Sequence, residues 1–293
     1  MFALTLLLLE LAGRMIGLTT PFFLRPSAAT CLRRSSLLSM EFQPDCVGTL
    51  GRTTFRTNSL GLRGSQVRED GSIRILTLGD SCTWGWGVRE EQSYPAVLQR
   101  LLDERRGPSR YQVINAGLPG STSYQGVLYL RERGLSLDPA LVIASYGFND
   151  ASRDGDVEDQ LARERLWMPV LRLDDYLLNR SQTYRWVRWT ALRGRRQDQT
   201  PRATPAKYKQ NMTQLVDLAR QRGARTMFVA FWHQGKLIQR DYQDQLVTVG
   251  SDLHVPIVWY EGPRIDVVHP TAEGYAILAR AIFDRLEQEG FLR

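Results

Sequence analysis

A serine that could act as a nucleophile ends the stretch Ile73-Arg-Ile-Leu-Thr-Leu-Gly79-Asp80-Ser81. Its apolar, β-favouring residues stop abruptly at Gly-Asp-Ser, so the pattern predicts a buried strand running into a sharp turn. Ser81 then sits at the carboxyl end of a strand, where open α/β sheets bind ligands. A serine hydroxyl is a weak nucleophile alone and needs a base, a group to orient that base and donors for an oxyanion. Taken alone, Gly-Asp-Ser is equally well a simple turn. The sequence holds three histidines, His233, His254 and His269, and one lies in Asp266-Val-Val-His269-Pro-Thr-Ala-Glu-Gly274. A carboxylate three residues before an imidazole on a turn can hold Nδ1–H and leave Nε2 facing outward, as in a serine triad.

Two further stretches carry candidate oxyanion donors. Val113-Ile-Asn-Ala-Gly-Leu-Pro-Gly120 reads as a strand and a glycine-bearing turn whose N–H groups can approach a ligand closely. Leu141-Val-Ile-Ala-Ser-Tyr-Gly-Phe-Asn149-Asp150 reads as a central strand ending in an amide. The Ser81 N–H, the Gly120 N–H and the Asn149 amide would together make three donors. Asparagine after a strand is, however, most often turn chemistry.

In order, the blocks Gly79-Asp80-Ser81, Asn115 to Gly120, Gly147-Phe148-Asn149-Asp150 and Asp266-Val-Val-His269 resemble the four signature blocks of the SGNH, or GDSL, hydrolase superfamily. The resemblance runs from about residue 73 to the C-terminus. It implies a nucleophile at Ser81, oxyanion donors at Ser81, Gly120 and Asn149, and the acid and base at Asp266 and His269. Cys82 departs from the small or apolar residue common after that serine.

The elements around these blocks alternate. Helices are predicted over 94–102, 124–134, 207–222, 236–253 and 271–289, and strands over 73–79, 113–117, 141–146, 226–232 and 255–259. Such alternation implies a parallel sheet covered on both faces. About five strands suggest an α/β fold with a flavodoxin-like parallel sheet in a three-layer α/β/α sandwich. Residues 73–293 would form this hydrolase domain, and the rhythm breaks over 151–204, a cap inserted beside the site. Within it, Arg180 to Arg193 interleaves arginines with Tyr184, Trp186 and Trp189, a pattern suited to a solvated face, a membrane interface or a carbohydrate groove.

Upstream, residues 1–24 read as an N-terminal hydrophobic anchor. The unbroken apolar run stops at Glu10, short of the roughly 20 residues a crossing needs, but Glu10 and Arg14 lie four apart and can offset one another on a helix. A core-facing amphipathic helix is the alternative. An anchor places the chain on the extracytoplasmic side, with the membrane as a partner. Residues 25–72 read as an appendage, with a polar, serine-rich linker to Met40 and a hairpin over 49–63 turning at Asn58-Ser59 and Gly61. Cys31 and Cys46 would pair in an oxidising compartment or stay free in a reducing one.

With 293 residues, 43% hydrophobic and 24% charged, the composition is that of an ordinary globular protein. A formal charge of +7 permits attraction to anionic surfaces, but no nucleic-acid motif accompanies it. No metal-ligand cluster and no phosphate-cradling loop stand out, so the sequence calls for no cofactor. Trp84 and Trp86 are expected to crowd Ser81 and favour short acyl groups. His233 follows a strand and is a candidate for binding substrate, with a structural imidazole as the alternative. The expected activity is hydrolysis of small-molecule or carbohydrate esters. Transfer of an acetyl group to an exported polysaccharide and a catalytically silent carbohydrate-binding role are the alternatives.

Overall fold

The computed structural model describes residues 8, 10–12, 15, 30–50, 53–193, 199–231 and 237–292. Five strands, β5 (Ile73–Gly79), β6 (Tyr111–Gly117), β7 (Leu141–Ser145), β8 (Arg225–Phe231) and β9 (Ile257–Tyr260), form one parallel sheet in the order β6-β5-β7-β8-β9. This is the flavodoxin-like order, whose direction of winding reverses beside β5. All five residues of β7 are buried. Its unbroken apolar run is what a strand covered on both faces requires.

Alternation along β5 shows the layers. Leu76 and Leu78 face the core built with α3 (Ser123–Glu132), α7 (Pro205–Arg220) and α8 (Leu237–Asp252). Ile75 faces the other core, built with α2 (Tyr94–Arg106) and α9 (Ala272–Gln288). Each fully buried Leu or Ile contributes about 1.5–3 kcal/mol. Turn and cap chemistry sets the helix ends: the Thr122 and Gln125 side chains form a capping box on α3, and Thr271 Oγ1 accepts from Gly274 N–H at 3.1 Å to begin α9.

Ahead of the sheet stand two hairpins, β1 (Leu32–Ser35) with β2 (Ser39–Phe42) and β3 (Val47–Leu50) with β4 (Thr53–Arg56). The stretch expected as a polar linker therefore contains a hairpin. Its arginines satisfy themselves in ion pairs: Arg33 meets Glu41 at 2.8 Å, and Arg34 meets Asp175 at 2.9 Å. The turn expected at Asn58-Ser59 and Gly61 reverses the chain, but it closes a single antiparallel bridge between Thr57 and Arg63 and not a ladder of strands. The ladder is that of β3 with β4, paired from Val47 with Arg56 to Leu50 with Thr53, and Asn58 Oδ1 accepts from the Leu60 and Leu62 N–H groups in an Asx turn. A Cys31–Cys46 disulfide staples the two hairpins together.

After β7 the insertion forms α4 (Val157–Leu166), α5 (Met168–Arg180) and α6 (Gln182–Arg193). Residues 232–236, with His233, lie outside the described residues, as does most of 1–29. Among the described residues no helix is long and apolar enough to cross a membrane.

Candidate active site

The carboxyl ends of β5, β6 and β7 and the loop after β9 deliver the site. β5 ends at Gly79, and the chain turns at once into α1 (Ser81–Trp84), a single helical turn carrying the serine. Sterics demand this sequence. A Cβ on Gly79 would stand 2.1 Å from Thr83 Oγ1 and 2.8 Å from the Ser145 carbonyl oxygen, and one on Gly117 would stand 2.3 Å from Trp84 N. Asp80 caps the turn by accepting from Cys82 N–H at 2.8 Å. As the first residue of α1, Ser81 has an N–H with no acceptor inside the helix.

The structure brings Ser81, His269 and Asp266 into one line. Ser81 Oγ lies 2.8 Å from His269 Nε2, and His269 Nδ1 lies 2.8 Å from Asp266 Oδ2. Asp266 Oδ1 also accepts from the Val268 and His269 backbone N–H groups, both at 2.8 Å. Partial burial pushes the Asp266 carboxyl up, but these N–H donors and the imidazole outweigh it and hold it below the usual carboxylate range. An ionised Asp266 puts the proton on Nδ1 and leaves the Nε2 lone pair to accept from the serine hydroxyl. The Trp86 ring stacks on His269 with centroids 5.5 Å apart.

Gly120 lies exposed on the loop after β6, with φ +80°. That loop is tied to the strand that precedes Ser81: Leu118 N–H and Ser121 Oγ both donate to the Gly79 carbonyl, at 2.9 and 3.1 Å. Asn149 Nδ2 donates to Asp80 Oδ2 at 3.2 Å and to the Ser121 carbonyl at 3.1 Å. Both hydrogens of its amide are thus engaged, and offering one to an oxyanion means giving up one of these acceptors.

Trp84 departs from the expectation. It is fully buried beneath Phe42 and Phe55, with the Arg63 guanidinium 4.1 Å above its ring, so it supports α1 from below and does not face a substrate. The hairpins supply this apolar shelf. Arg63 also donates to the Trp84, Gly85 and Val88 carbonyls at 2.9, 2.7 and 2.8 Å. Cys82 is buried too, its thiol pushed well up by burial, so it is an inert packing group.

Four residues of this neighbourhood, Asp150, Ser123, Asn211 and Arg202, were not singled out in the sequence. Buried Asp150 accepts from Ser123 N–H at 3.0 Å, Ser123 Oγ at 2.5 Å and Gly147 N–H at 3.1 Å, and Asn211 Nδ2 donates to Ser123 Oγ at 2.9 Å. Burial raises Asp150 to about 6, and burial with the nearby Asp150 charge raises Asp80 to about 7. Arg202, at the return end of the insertion, donates to the Gly120 carbonyl at 2.5 Å and to Gln125 Oε1 at 3.3 Å. The adjacency of Asp150 to Asn149 was a signal for Asp150, whereas Arg202 lies 82 residues from Gly120 and left none.

A family model described as the GDSL-like lipase/acylhydrolase family matches residues 77–277. The chain belongs to that family. The match begins in β5 and takes in Ser81, Gly120, Asn149, Asp266 and His269. Among curated proteins, esterase TesA of Pseudomonas aeruginosa is 38% identical over 80 residues, a stretch covering 27% of this chain and only 38% of TesA. Among solved structures, a crystal structure of TesA covers 73% of this chain and 98% of its own at 20% identity and TM-score 0.51. A lipase/acylhydrolase from Enterococcus faecalis has 17% identity and TM-score 0.51, with 74% and 96% covered. The acetyl xylan esterase AlAXEase has 16% identity and TM-score 0.51, with 73% and 100% covered. At these identities the three structures share the family fold with this chain.

Proposed function

We propose that the chain is a serine esterase that cleaves carboxylic esters of short acyl or O-acetyl groups. The observation that carries this reading is the unbroken line from Ser81 Oγ through the His269 ring to Asp266, each link 2.8 Å long. In the proposed mechanism Ser81 Oγ bonds to the ester carbonyl carbon as its proton passes to His269 Nε2. The Ser81 and Gly120 N–H groups and the Asn149 amide take the negative oxygen, Asn149 by turning from Asp80 or Ser121. Collapse breaks the carbon–alkoxide bond, and the leaving alcohol takes the proton back from His269. Water, activated by the same imidazole, then releases the carboxylic acid and regenerates Ser81.

A cavity of about 40 Å³ is lined by Asp80, Cys82 and Val268, the chain neighbours of Ser81 and His269, and by Tyr146, Phe148 and Phe231; taken as the acyl site, it supports short acyl chains. One water-sized group needs about 10–15 Å³, so the space suits an acyl group of a few heavy atoms. The chain is further proposed to be exported and held at a membrane by its N-terminal run, a reading supported by the Cys31–Cys46 disulfide, a bond that persists in oxidising compartments. The test is a panel of p-nitrophenyl esters from acetyl to palmitoyl, with fluorophosphonate labelling, on wild type and Ser81→Ala. Turnover concentrated on the shortest esters, with labelling and turnover both lost in the variant, is the expected result. Wild-type turnover by Ser81→Ala would remove the nucleophile, and a preference for palmitoyl would remove the short-acyl specificity.

A further inference from the structure

Ten of the eighteen large apolar side chains that are exposed among the described residues lie in just two places, the N-terminal helix and the cap. On the cap, Leu166, Trp167, Val170, Leu173 and Tyr176 are each 52–77% exposed along the α4–α5 junction and α5, and Trp186 and Val187 continue the surface on α6. On the N-terminal helix Leu8, Leu11 and Met15 recur at one face and are 49–88% exposed. Soluble monomers seldom leave apolar side chains so concentrated, and such patches mark something that covers them.

The two places are joined. Glu10 accepts from Ser181 Oγ at 2.7 Å and from the Gln182 and Thr183 N–H groups at 2.9 and 3.1 Å, so its carboxylate caps the start of α6. In the sequence the apolar run Met1 to Leu9 immediately precedes Glu10. Residues 157–193 also carry seven arginines, no lysine and five carboxylates. Arg163, Arg165 and Arg172 are exposed, and the Arg180 guanidinium stacks 4.1 Å over the Tyr176 ring. Exposed Leu and Val flanked by Trp, Tyr and Arg are the composition of a helix lying in the plane of a membrane interface, where rings sit at headgroup depth and arginines reach anionic phosphates.

We propose that the exposed face of α5 and α6 lies on the headgroup region of an anionic phospholipid bilayer, the one that the N-terminal run enters. This surface rests on the anchor reading given above and adds to it a defined orientation, with the cap down on the lipid. At the return end of the insertion Arg202 donates to the Gly120 carbonyl, which ties the cap to the candidate oxyanion loop.

The experiment uses the full chain in vesicles of phosphatidylcholine and phosphatidylglycerol at 7:3. A spin label is placed at Leu173→Cys, with Val247→Cys as an exposed control on α8 and Tyr176→Cys as a second cap position. Cys31 and Cys46 are disulfide-bonded and Cys82 is buried, so the new thiol alone takes the label. The ratio of collision with oxygen to collision with a water-soluble nickel chelate should be several-fold higher at 173 and 176 than at 247. Equal ratios at all three positions in chain that floats with the vesicles would overturn the cap proposal and leave the anchor standing. Chain that does not float would overturn the anchor reading itself. Dipolar broadening at 173 that vanishes on dilution with unlabelled chain would show a second copy on the surface and overturn the membrane as its occupant.

Discussion

Replacing Arg202 with alanine separates the stability of the fold from the setting of Gly120, one of the proposed oxyanion donors. Gly120 has φ +80° and no atom within 4 Å of where a Cβ would lie, so side-chain packing does not fix its backbone. The 2.5 Å bond from Arg202 to its carbonyl holds it from the cap side. The second acceptor, Gln125 Oε1, keeps the Thr122 N–H and Thr122 Oγ1 donors when Arg202 is lost, so the α3 cap survives. A hydrogen bond from a charged donor is worth about 1.5–3 kcal/mol, but burial already lowers the Arg202 pKa, so removing the guanidinium also relieves a desolvation cost. The net loss of stability is about 1 kcal/mol. Removing an oxyanion donor outright costs about 10²–10³ in kcat, and loosening one costs less. We expect Arg202→Ala to lower kcat on p-nitrophenyl acetate by about 10–100-fold, leave KM within about twofold and slow fluorophosphonate labelling in parallel, with Arg202→Lys recovering part of the loss. A lower melting temperature with unchanged kcat and labelling rate would show that the Gly120 turn holds itself, and the positioning role would be wrong.

Asn149→Ala should lower kcat by about 10²–10³, the cost of one donor, and an unchanged kcat would take Asn149 out of the reaction. Cys46→Ser opens a disulfide between residues 15 apart and should cost about 3 kcal/mol in urea unfolding, and an unmoved midpoint would show that the hairpins hold without it. Asp80 titrates at about 7 in the folded chain, well above the ordinary carboxylate of an unfolded one, chiefly through burial. Between about pH 4 and pH 7 the folded state therefore binds the extra proton, and its stability falls as pH rises through that window. Asp80→Asn should flatten this fall between about pH 4 and pH 7, and parallel slopes for variant and wild type would place the charge penalty elsewhere.

The sheet was legible because its strands are short apolar runs closed by glycine or an amide, and its helices because apolar residues recur at helical spacing. Residues 75–79 and 141–145 are buried on both faces, and runs so short, bounded by turn residues, suit strands better than helices. The Asp266-to-His269 spacing was legible for a local reason, since the same carboxylate caps its own turn and reaches the ring. What escaped depends on partners distant in sequence. β1 contains Arg33 and Arg34, which read as solvated until Glu41 and Asp175 come beside them. Trp84 next to a nucleophile reads as a substrate contact, and only the packing of Phe42 and Phe55 from separate hairpins shows that it points inward.

The way the insertion joins the sheet has a further consequence. Its two ends meet: Ala203 N–H donates to the Asp150 carbonyl at 3.0 Å and Arg202 N–H to the Ser152 carbonyl at 2.8 Å. To the sheet, some fifty residues enter and leave at a single point, and the entropy of closing a longer or shorter loop there changes only as the logarithm of its length. α4 is bound to the layers it covers, since Val157 and Leu161 pack with Leu38 and Leu128 and Lys207 of α7 pairs with Asp156, so α5 and α6 are the part that can be exchanged, which makes this insertion a natural place for one scaffold to acquire different covers. The exchange has a boundary inside the joint itself, because a graft that keeps residues 150 and 203 but discards Arg202 would carry over the fold and release the Gly120 turn.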